Sequence, residues 1–458
     1  MRIYNSLSNQ VEDIKTIEPN KVKMYSCGPT VYFYPTIGNW RTFVLADFLH
    51  RALKFNGYDV DFIMNMTDVG HLFEEGGNAE AGEDKVEEQA FLEGKTAKEI
   101  TSYYTENFLN SYKDMNLLPP RKFTKASEYV DDQISLIATL EEKGYIYKTS
   151  DGIYFDTSKF EKYGELSGLT AQNVKESTPN SEKKSPTDFS LWKFSPKDKK
   201  RQQEWQSPWG IGFPGWHLEC SAMILAELGD TIDIHVGGED LRMIHHQNEI
   251  AQSESATGKK FVNYWVHGAF LTIDGGKMSK SLGNVYTLED IKQRGYSAMD
   301  LRYLFMTANY RTQLNFTWNA IQNAQNSLRR IYEIIASYEQ DSKAEVSEKY
   351  IKKFKDALDD DLNVPEALAV VWELLKSNII ETSKLNTILK LDEFLGLRLD
   401  EHIGYEIPEN IENMGKMRRE YRKSGIWDKA DVLRREVADL GYIIEDLPDG
   451  SYKIKKKF

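Results

Sequence analysis

The chain has 458 residues, of which 40% are hydrophobic and 28% charged, enough apolar material for two or three domains and too much for wholesale disorder. No run approaches 18 apolar residues and the N-terminus lacks an apolar leader, so the sequence predicts neither a membrane-spanning helix nor a secretory signal. Two cysteines cannot form a disulfide scaffold, and we expect a cytoplasmic protein.

The net charge of −13 argues against a protein whose whole surface attracts nucleic acid. Residues 411–458 differ from the rest, since they hold 12 Lys and Arg against 9 Asp and Glu. A basic end on an acidic protein weakly indicates a polyanionic partner, although it is more often a solvated tail.

The first part of the chain predicts alternating strands and helices. Apolar spacing predicts a strand at 22–27, a helix at 40–55 and a buried strand at 58–68, an order typical of a parallel βαβ unit. An acidic stretch with glycines at 74–89 predicts an exposed loop. Helical patterns follow at 96–115 and 127–143.

The middle of the chain is less regular. The pattern predicts a hairpin at 145–158, a lysine-rich surface excursion at 181–203, and strands at 230–238 and 263–273 with a helix from 245 between them. From 288 to about 399 it is nearly all helical, and a further helical stretch covers 409–440. The sequence therefore predicts an α/β nucleotide-type domain followed by a helical C-terminal region.

Four residues have the chemistry of a zinc site. They are Cys27 and Cys220, the two cysteines of the chain, and His245 and Glu249, which a helix would place on one face. The cysteines are 193 residues apart, however. On the residues alone, two buried structural thiols and an ordinary polar helix remain the commoner interpretation.

A loop with the sequence GGKMSKSLGN follows an apolar strand at 275–284. Such a loop could fold over a triphosphate, and Lys277 and Lys280 could neutralise the charge that grows as pyrophosphate leaves. A solvated surface turn is the alternative, but the five letters KMSKS rarely occur by chance.

The segment 29–40 joins the first strand to the helix that follows it, and α/β folds bind nucleotide phosphates at such junctions. Gly38 allows close approach of the backbone to a ligand, and Asn39 can donate to phosphate. Asp240, after the strand at 230–238, could bind a ribose hydroxyl. A generic strand-to-helix turn is the alternative here.

Together these motifs carry a resemblance. CGPTVY (27–32), TIGN (36–39) and KMSKS (277–281) resemble the paired motifs of the class I aminoacyl-tRNA synthetases, usually written HIGH and KMSKS. The stretches NMTDVGH, SPWGIGFPGWHLECSAM, DIHVGGEDLRMIHHQNEIAQ and DDDLNVPEALAVVWEL resemble the cysteinyl-tRNA synthetases in particular. The resemblance covers nearly the whole chain.

The resemblance implies an α/β fold with a Rossmann-like class I synthetase catalytic domain, an inserted acceptor-end domain and an α-helical C-terminal anticodon-binding region. The implied boundaries are 1–120 for the first half of the catalytic domain, 121–205 for the insertion, 206–284 for the second half, 285–340 for a helical stem-contact region and 341–458 for the anticodon-binding region.

It also implies a function: activation of L-cysteine with ATP and transfer to the 3′ end of tRNA(Cys), by a protein that we expect to act as a monomer without a membrane. One zinc ion would select cysteine, with Mg²⁺ accompanying ATP. The implied site residues are Cys27, Cys220, His245 and Glu249 for zinc, Thr36, Gly38, Asn39, Asp240, Lys277 and Lys280 for ATP, Lys280 and Lys277 for catalysis, and Gly28, Thr67 and Trp216 for cysteine.

Three positions depart from the family pattern. Thr36 stands where the first motif begins with histidine, which is the departure that matters most, while Asn39 replaces its last histidine, a substitution common in this family, and Phe213 stands where an arginine is usual. Two alternatives therefore stay open: a cysteine ligase of the mycothiol pathway, and an inactive paralogue that binds tRNA or nucleotide. The helical C-terminal region argues against the first, and the presence of every other motif argues against the second.

Overall fold

The computed structural model describes residues 1–69, 72–73, 83–169, 182–196, 201–279, 282–404, 407–447 and 449–456. The chain divides into two compact units, one formed by residues 1–317 and 355–365 and the other by 318–354 and 366–458. Among the described helices, none is both long and apolar enough to cross a lipid bilayer.

The first unit contains strands and helices in alternation. Its strands are β1 (Arg2–Asn5), β2 (Gln10–Asp13), β3 (Lys21–Ser26), β4 (Asp59–Met66), β5 (Leu72–Phe73), β6 (Glu83–Asp84), β7 (Lys122–Lys125), β8 (Ile146–Lys148), β9 (Gly152–Phe155), β10 (Phe189–Phe194), β11 (Gly212–Pro214), β12 (Ile232–Gly238), β13 (Val262–Gly268), β14 (Leu271–Ile273) and β15 (Leu314–Phe316). Its helices are α1 (Ile37–Phe55), α2 (Lys85–Glu93), α3 (Ala97–Asp114), α4 (Val130–Glu142), α5 (Trp216–Glu227), α6 (Glu239–Arg242), α7 (His245–Thr257), α8 (Leu288–Gln293) and α9 (Ala298–Met306).

The core of this unit is a five-stranded parallel sheet in the order β13-β12-β3-β4-β7. Every residue of β12 is buried, as expected for a parallel strand covered on both faces. The direction in which strands are added reverses between β3 and β12, and open α/β sheets bind ligands at that point, outside the carboxyl ends of the strands. The predicted Rossmann-like α/β fold is confirmed.

A second, antiparallel sheet has the order β11-β10-β9-β8 and includes the predicted hairpin. The prediction of a surface excursion at 181–203 is wrong over β10. Phe189, Leu191 and Trp192 of that strand are buried in one hydrophobic core with Ile153 and Phe155. Three large apolar side chains outweigh the lysines on either side of them, because burying each stabilises the fold by about 2 kcal/mol.

The exposed loop predicted at 74–89 is wrong from residue 85 onward, and residues 74–82 lie outside the described chain. Helix α2 begins at Lys85 because the Asp84 side chain caps it, accepting hydrogen bonds from the backbone N–H groups of Val86 and Glu87. Val86 and Ala90 are buried, which anchors the helix.

The strand predicted at 263–273 is two strands in different sheets. The buried guanidinium of Arg41 donates to the carbonyl oxygens of Ala269 and Phe270, both at 2.8 Å. These carbonyls therefore form no part of the hydrogen-bond ladder of β13, and the strand ends there. Strand β14 pairs instead with β15, a short strand inside the region predicted as nearly all helical.

The second unit is mainly helical, as predicted, but ends in an unpredicted hairpin. Its elements are α10 (Trp318–Ala336), the first part of α11 (Glu348–Asp359), most of α12 (Val364–Lys376), α13 (Glu381–Leu395), α14 (Glu409–Lys423), α15 (Trp427–Asp439), β16 (Tyr442–Asp446) and β17 (Tyr452–Lys456); residues 355–365 belong to the first unit. The hairpin β16–β17 packs on α14 and α15 around a core of Ile411, Val437, Ile444 and Ile454.

Helix α1 carries a buried carboxylate that joins three parts of the first unit. Asp47 accepts hydrogen bonds from the Arg51 side chain at 2.8 Å, from the Arg302 side chain at 2.6 Å and from the backbone N–H of Leu118 at 2.7 Å. Burial alone would raise the pKa of Asp47, but the two guanidinium groups lower it below its usual value.

We predict that Asp47→Asn destabilises the first unit by about 3–5 kcal/mol, because it leaves two buried guanidinium groups without their anion. Since the pKa of Asp47 is lowered in the fold, its stabilisation is present at neutral pH and is lost as the pH falls through the acidic range below about 4. The measurement is urea unfolding at pH 7. Asp114→Asn, which breaks an exposed ion pair with Lys292, is the control and should cost under about 1 kcal/mol. Equal losses in the two variants would contradict the prediction.

Candidate metal centre and nucleotide site

The crevice at the carboxyl ends of β3 and β12 is where most of the predicted site residues meet. Cys27 directly follows β3, and its N–H donates to the carbonyl oxygen of Val236 in β12 at 3.1 Å. Gly237 and Gly238 end β12. The loop after Cys27 leads into α1, so one edge of the sheet supplies both a thiol and the entry to a helix.

The four residues predicted to bind a metal lie together. The ligand atoms of Cys27, Cys220, His245 and Glu249 are all within 4.8 Å of one another, and all four residues are buried. Cys220 comes from the middle of α5, while His245 and Glu249 lie one turn apart on α7 with Nε2 and Oε1 at 2.8 Å. Two sulfur donors, one nitrogen and one oxygen make a donor set that suits a borderline-soft divalent metal.

The charges in this cluster favour a cation. A hydrogen bond from Cys27 lowers the pKa of the Cys220 thiol to about 6 against the effect of burial, whereas burial raises the pKa of Cys27. Burial would raise the pKa of Glu249, but His235 and His245 lower it to about 2. Burial would lower the pKa of His245, but Glu249 and Cys220 raise it to about 10. Two anions and one imidazolium leave a buried excess of negative charge.

Sequence reasoning missed a ring of histidines behind the cluster. His235 Nε2 lies 2.8 Å from Glu249 Oε2, and His246 Nε2 lies 3.4 Å from Cys27 Sγ. His246 Nδ1 in turn lies 2.7 Å from Nε2 of His267. Ligand atoms of Cys27, His235, His246 and Glu249 also lie within 4.8 Å of one another. We interpret His235 and His246 as residues that orient metal ligands, because each contacts a ligand atom directly.

Further contacts extend this ring. His267 Nδ1 lies 2.8 Å from Ser6 Oγ, and His217 Nδ1 lies 3.0 Å from Nδ1 of His245. The ring of Trp216, a predicted cysteine-pocket residue, has its centroid 4.5 Å from that of His245. The only sequence signal for this arrangement is the composition: the chain has eight histidines, and five of them are buried here.

Gly28 and Thr67, the other predicted pocket residues, are linked through Asn65. The Gly28 N–H donates to Asn65 Oδ1 at 2.7 Å, and Asn65 Nδ2 donates to Thr67 Oγ1 at 3.1 Å. A Cβ at position 28 would lie 1.9 Å from the Asn65 carbonyl oxygen, so only glycine fits there. The Thr67 hydroxyl donates to Glu219, a fully buried carboxyl group that the sequence did not single out.

The first motif forms the N-terminus of α1. Thr36 is the N-cap: its Oγ1 accepts from the Asn39 N–H at 3.3 Å, and its own N–H donates to Asn39 Oδ1 at 2.9 Å. The Thr36 hydroxyl also donates to Asn39 Oδ1 at 2.8 Å. The capping box uses the N–H groups of Thr36 and Asn39, and the Ile37 N–H donates to the Tyr286 carbonyl oxygen, so the Gly38 N–H is the group of the first turn left to face an anion.

The first motif and the KMSKS segment lie against each other. A Cβ at Gly38 would lie 2.7 Å from Met278 Cε, and the Ile37 N–H donates to the Tyr286 carbonyl oxygen at 2.8 Å. Two regions that are about 240 residues apart in the sequence are thereby brought to one edge of the crevice.

The described part of the KMSKS segment is held by one side chain. Asn284 Oδ1 accepts from the Ser279 N–H at 2.8 Å, and Asn284 Nδ2 donates to the Lys277 carbonyl oxygen at 3.1 Å. The side chain of Lys277 is exposed. Lys280, which with Lys277 is predicted to be catalytic, and Ser281 lie outside the described residues.

The remaining predicted positions lie near these elements. Asp240 is exposed on α6, directly after β12, and its Oδ1 would be 2.2 Å from a Cβ at Gly238, so the carboxylate folds back over the glycine backbone. Phe213, a departure from the family pattern, is buried under the guanidinium of Arg201, which lies 3.7 Å from the ring centroid.

Family comparisons agree with this architecture. A family model described as the class I (C) tRNA synthetase catalytic domain matches residues 13–326, and a model of the DALR domain matches residues 353–399. The first match covers the crevice and both of its motifs.

Similar proteins extend over nearly the full length. The chain is 41% identical to a cysteine–tRNA ligase 1 of Burkholderia lata, over 98% of this chain and 96% of that protein. It is 38% identical to a cysteine–tRNA ligase of Treponema denticola, over 97% and 98%, and 36% identical to one of Protochlamydia amoebophila, over 100% and 98%. Among solved structures, Mycobacterium tuberculosis methionyl-tRNA synthetase in complex with methionyl-adenylate has a TM-score of 0.56 at 14% identity, covering 83% of this chain and 91% of that one, which is a similarity of fold.

Proposed function

The chain belongs to the cysteine type of the class I tRNA synthetases, and on that premise we propose that it is a cysteine–tRNA ligase acting on L-cysteine, ATP and tRNA(Cys). In the first step the cysteine carboxylate attacks the α-phosphate of ATP, forming cysteinyl-adenylate and releasing pyrophosphate. In the second, a 3′-terminal hydroxyl of the tRNA attacks the activated carbonyl, and AMP leaves.

The buried cluster of Cys27, Cys220, His245 and Glu249 is the observation that carries this proposal. Cysteine and serine differ only by sulfur for oxygen, too small a difference for a pocket to distinguish by shape alone. The donor set and its negative charge fit a zinc ion, which when bound supplies a soft Lewis acid that prefers a thiolate to a neutral hydroxyl.

The other site residues serve positioning and charge stabilisation. The N-terminus of α1 and Asn39 face the phosphates, Asp240 binds the ribose, and Mg²⁺ accompanies ATP. Lys277 neutralises the departing pyrophosphate together with Lys280, whose role rests on its place in the motif. Gly28, Thr67 and Trp216 line the pocket that holds cysteine. The rate acceleration comes mainly from holding the cysteine carboxylate in line with the α-phosphate and from stabilising the charge that develops on the phosphate oxygens.

The helical second unit favours tRNA over an amino sugar as the acceptor. The DALR domain model matches residues 353–399, most of which belong to this unit, and a small amino sugar would need no domain of that kind. The domain boundaries given above, a monomeric state and a cytoplasmic location stay predictions.

The first test is metal-dependent activation. Cys220→Ala should lose both the zinc, about one per chain in the unmodified protein, and cysteine-dependent ATP–pyrophosphate exchange, because one of two sulfur ligands is gone. Ser221→Ala removes one hydroxyl from the next residue of α5 and should keep both. The measurements are metal content by mass spectrometry and exchange with cysteine and with serine. A Cys220→Ala protein with its zinc and normal exchange would refute the metal assignment.

The second test separates activation from tRNA use. The last two helices and the hairpin share a core of Ile411, Val437, Ile444 and Ile454, against which Ile407 packs, so a chain ending at Pro408 removes this core together with the elements that form it. We predict normal pyrophosphate exchange and poor charging of tRNA(Cys), since phosphate contacts made by this region are lost. Undiminished charging by the shortened protein would show that this region does not bind tRNA.

The third test concerns Thr36. Thr36→His should raise the exchange rate or leave it nearly unchanged, because the helix N-terminus, Asn39 and Lys277 can serve the same phosphate oxygens. It should also lower stability by about 1 kcal/mol, because the capping box is lost. Thr36→Ser keeps the cap and is the control for both readouts. If the unmodified, zinc-loaded protein were inactive and Thr36→His restored exchange, the chain would be a disabled paralogue.

A further inference from the structure

A groove of about 550 Å³ lies between α10 and the C-terminal strand β17 in the second unit. It is lined by four cationic side chains and one carboxylate: Arg329, Arg330, Lys453, Lys455 and Glu333. The chain as a whole carries a charge of −13, so this concentration of positive charge is a local exception.

The folding of both walls turns these cations toward the groove. On α10, Ile321, Leu328, Ile331 and Ile335 are buried, which leaves the arginines on the opposite side of the helix. On β17, Ile454 is buried in the core of the hairpin. Side chains alternate along a strand, so Lys453 and Lys455 share the other face.

Three of the four groove cations form no ion pair with the described residues. Lys455 forms an ion pair with Glu445, which lies directly across the hairpin from Lys453. Arg329, Arg330 and Lys453 form no ion pair within the ranges that the structure describes. Like charges held together repel one another, and an anionic partner would relieve that repulsion.

We propose that this groove binds the sugar–phosphate backbone of tRNA, an inference that rests on the proposed function. Guanidinium groups bind phosphate oxygens in a bidentate manner, and lysines bind them as point charges. The four cations carry charge and no pattern of donors and acceptors matched to a base, so the groove positions the RNA without reading its sequence. One wall comes from the predicted stem-contact region and the other from the predicted anticodon-binding region. The groove therefore holds the tRNA at the junction of those two regions.

The test is the variant Arg329→Ala/Arg330→Ala/Lys453→Ala. We expect the KM for tRNA(Cys) to rise about tenfold or more, with cysteine-dependent pyrophosphate exchange within about twofold of the unmodified protein. The logarithm of the association constant for tRNA should fall less steeply with the logarithm of the salt concentration. We expect the slope to be shallower by about 2–3, because about one counterion is released for each phosphate contact. Affinity for a non-cognate tRNA should fall by the same factor.

The matched control is Lys349→Ala/Lys376→Ala/Lys390→Ala, which removes the same charge from three other helices of the second unit. Circular dichroism checks that both proteins are folded, and Arg329→Lys/Arg330→Lys should retain most of the affinity. Unchanged tRNA binding in the groove variant, or an equal loss of tRNA affinity in the control variant, would refute tRNA binding by the groove while leaving the proposed function intact. A loss confined to cognate tRNA would also overturn backbone binding. Absence of exchange in the unmodified protein would instead refute the proposed function.

Discussion

The parallel pairing of β3 with β12 determines where the candidate site residues lie. Met24, Tyr25 and Ser26 pair with Ile234, His235 and Val236, and the N–H of Cys27 extends this ladder by one bond. The thiol therefore leaves the sheet beside the strand end that leads into α6 and α7. A shift of one residue would turn every side chain of β12 to the opposite face, and His235 would no longer reach Glu249.

The buried charges of the first unit and the groove cations of the second unit differ in how they are compensated. In the first unit, Asp47 is compensated by two guanidinium groups and Arg41 by main-chain carbonyls, whereas the cluster of metal ligands keeps an excess of negative charge that a bound cation would compensate. Such compensation is required, because an unpaired buried charge costs several kcal/mol. In the second unit, three of the four groove cations remain at the surface without ion-pair partners among the described residues. Catalytic chemistry requires a preorganised, water-poor site, whereas recognition of a large polyanion requires charges that the partner itself neutralises.

The sequence was most informative where the determining pattern is local. The strands β3 and β12, the helix carrying His245 and Glu249, and the KMSKS segment were predicted because apolar period or motif spacing marks each of them. The ring of His235, His246 and His267 was missed because its contacts depend on which strands become neighbours in the sheet. Strand neighbours are set by residues far apart in the sequence, which a local pattern does not reveal. The C-terminal hairpin was missed because each strand has only five residues, β16 lacks the alternation of a half-buried strand, and the lysines of β17 are also typical of a solvated tail.

The capping box at the start of α1 makes positions 36 and 39 interdependent. The threonine accepts from the asparagine N–H, and the asparagine side chain accepts from the threonine N–H, so replacing either residue removes a bond that the other also uses. The energetic effects of substitutions at positions 36 and 39 are therefore expected to be non-additive. The second replacement removes less stability than the first, because the first has already broken the hydrogen bonds that the two residues share.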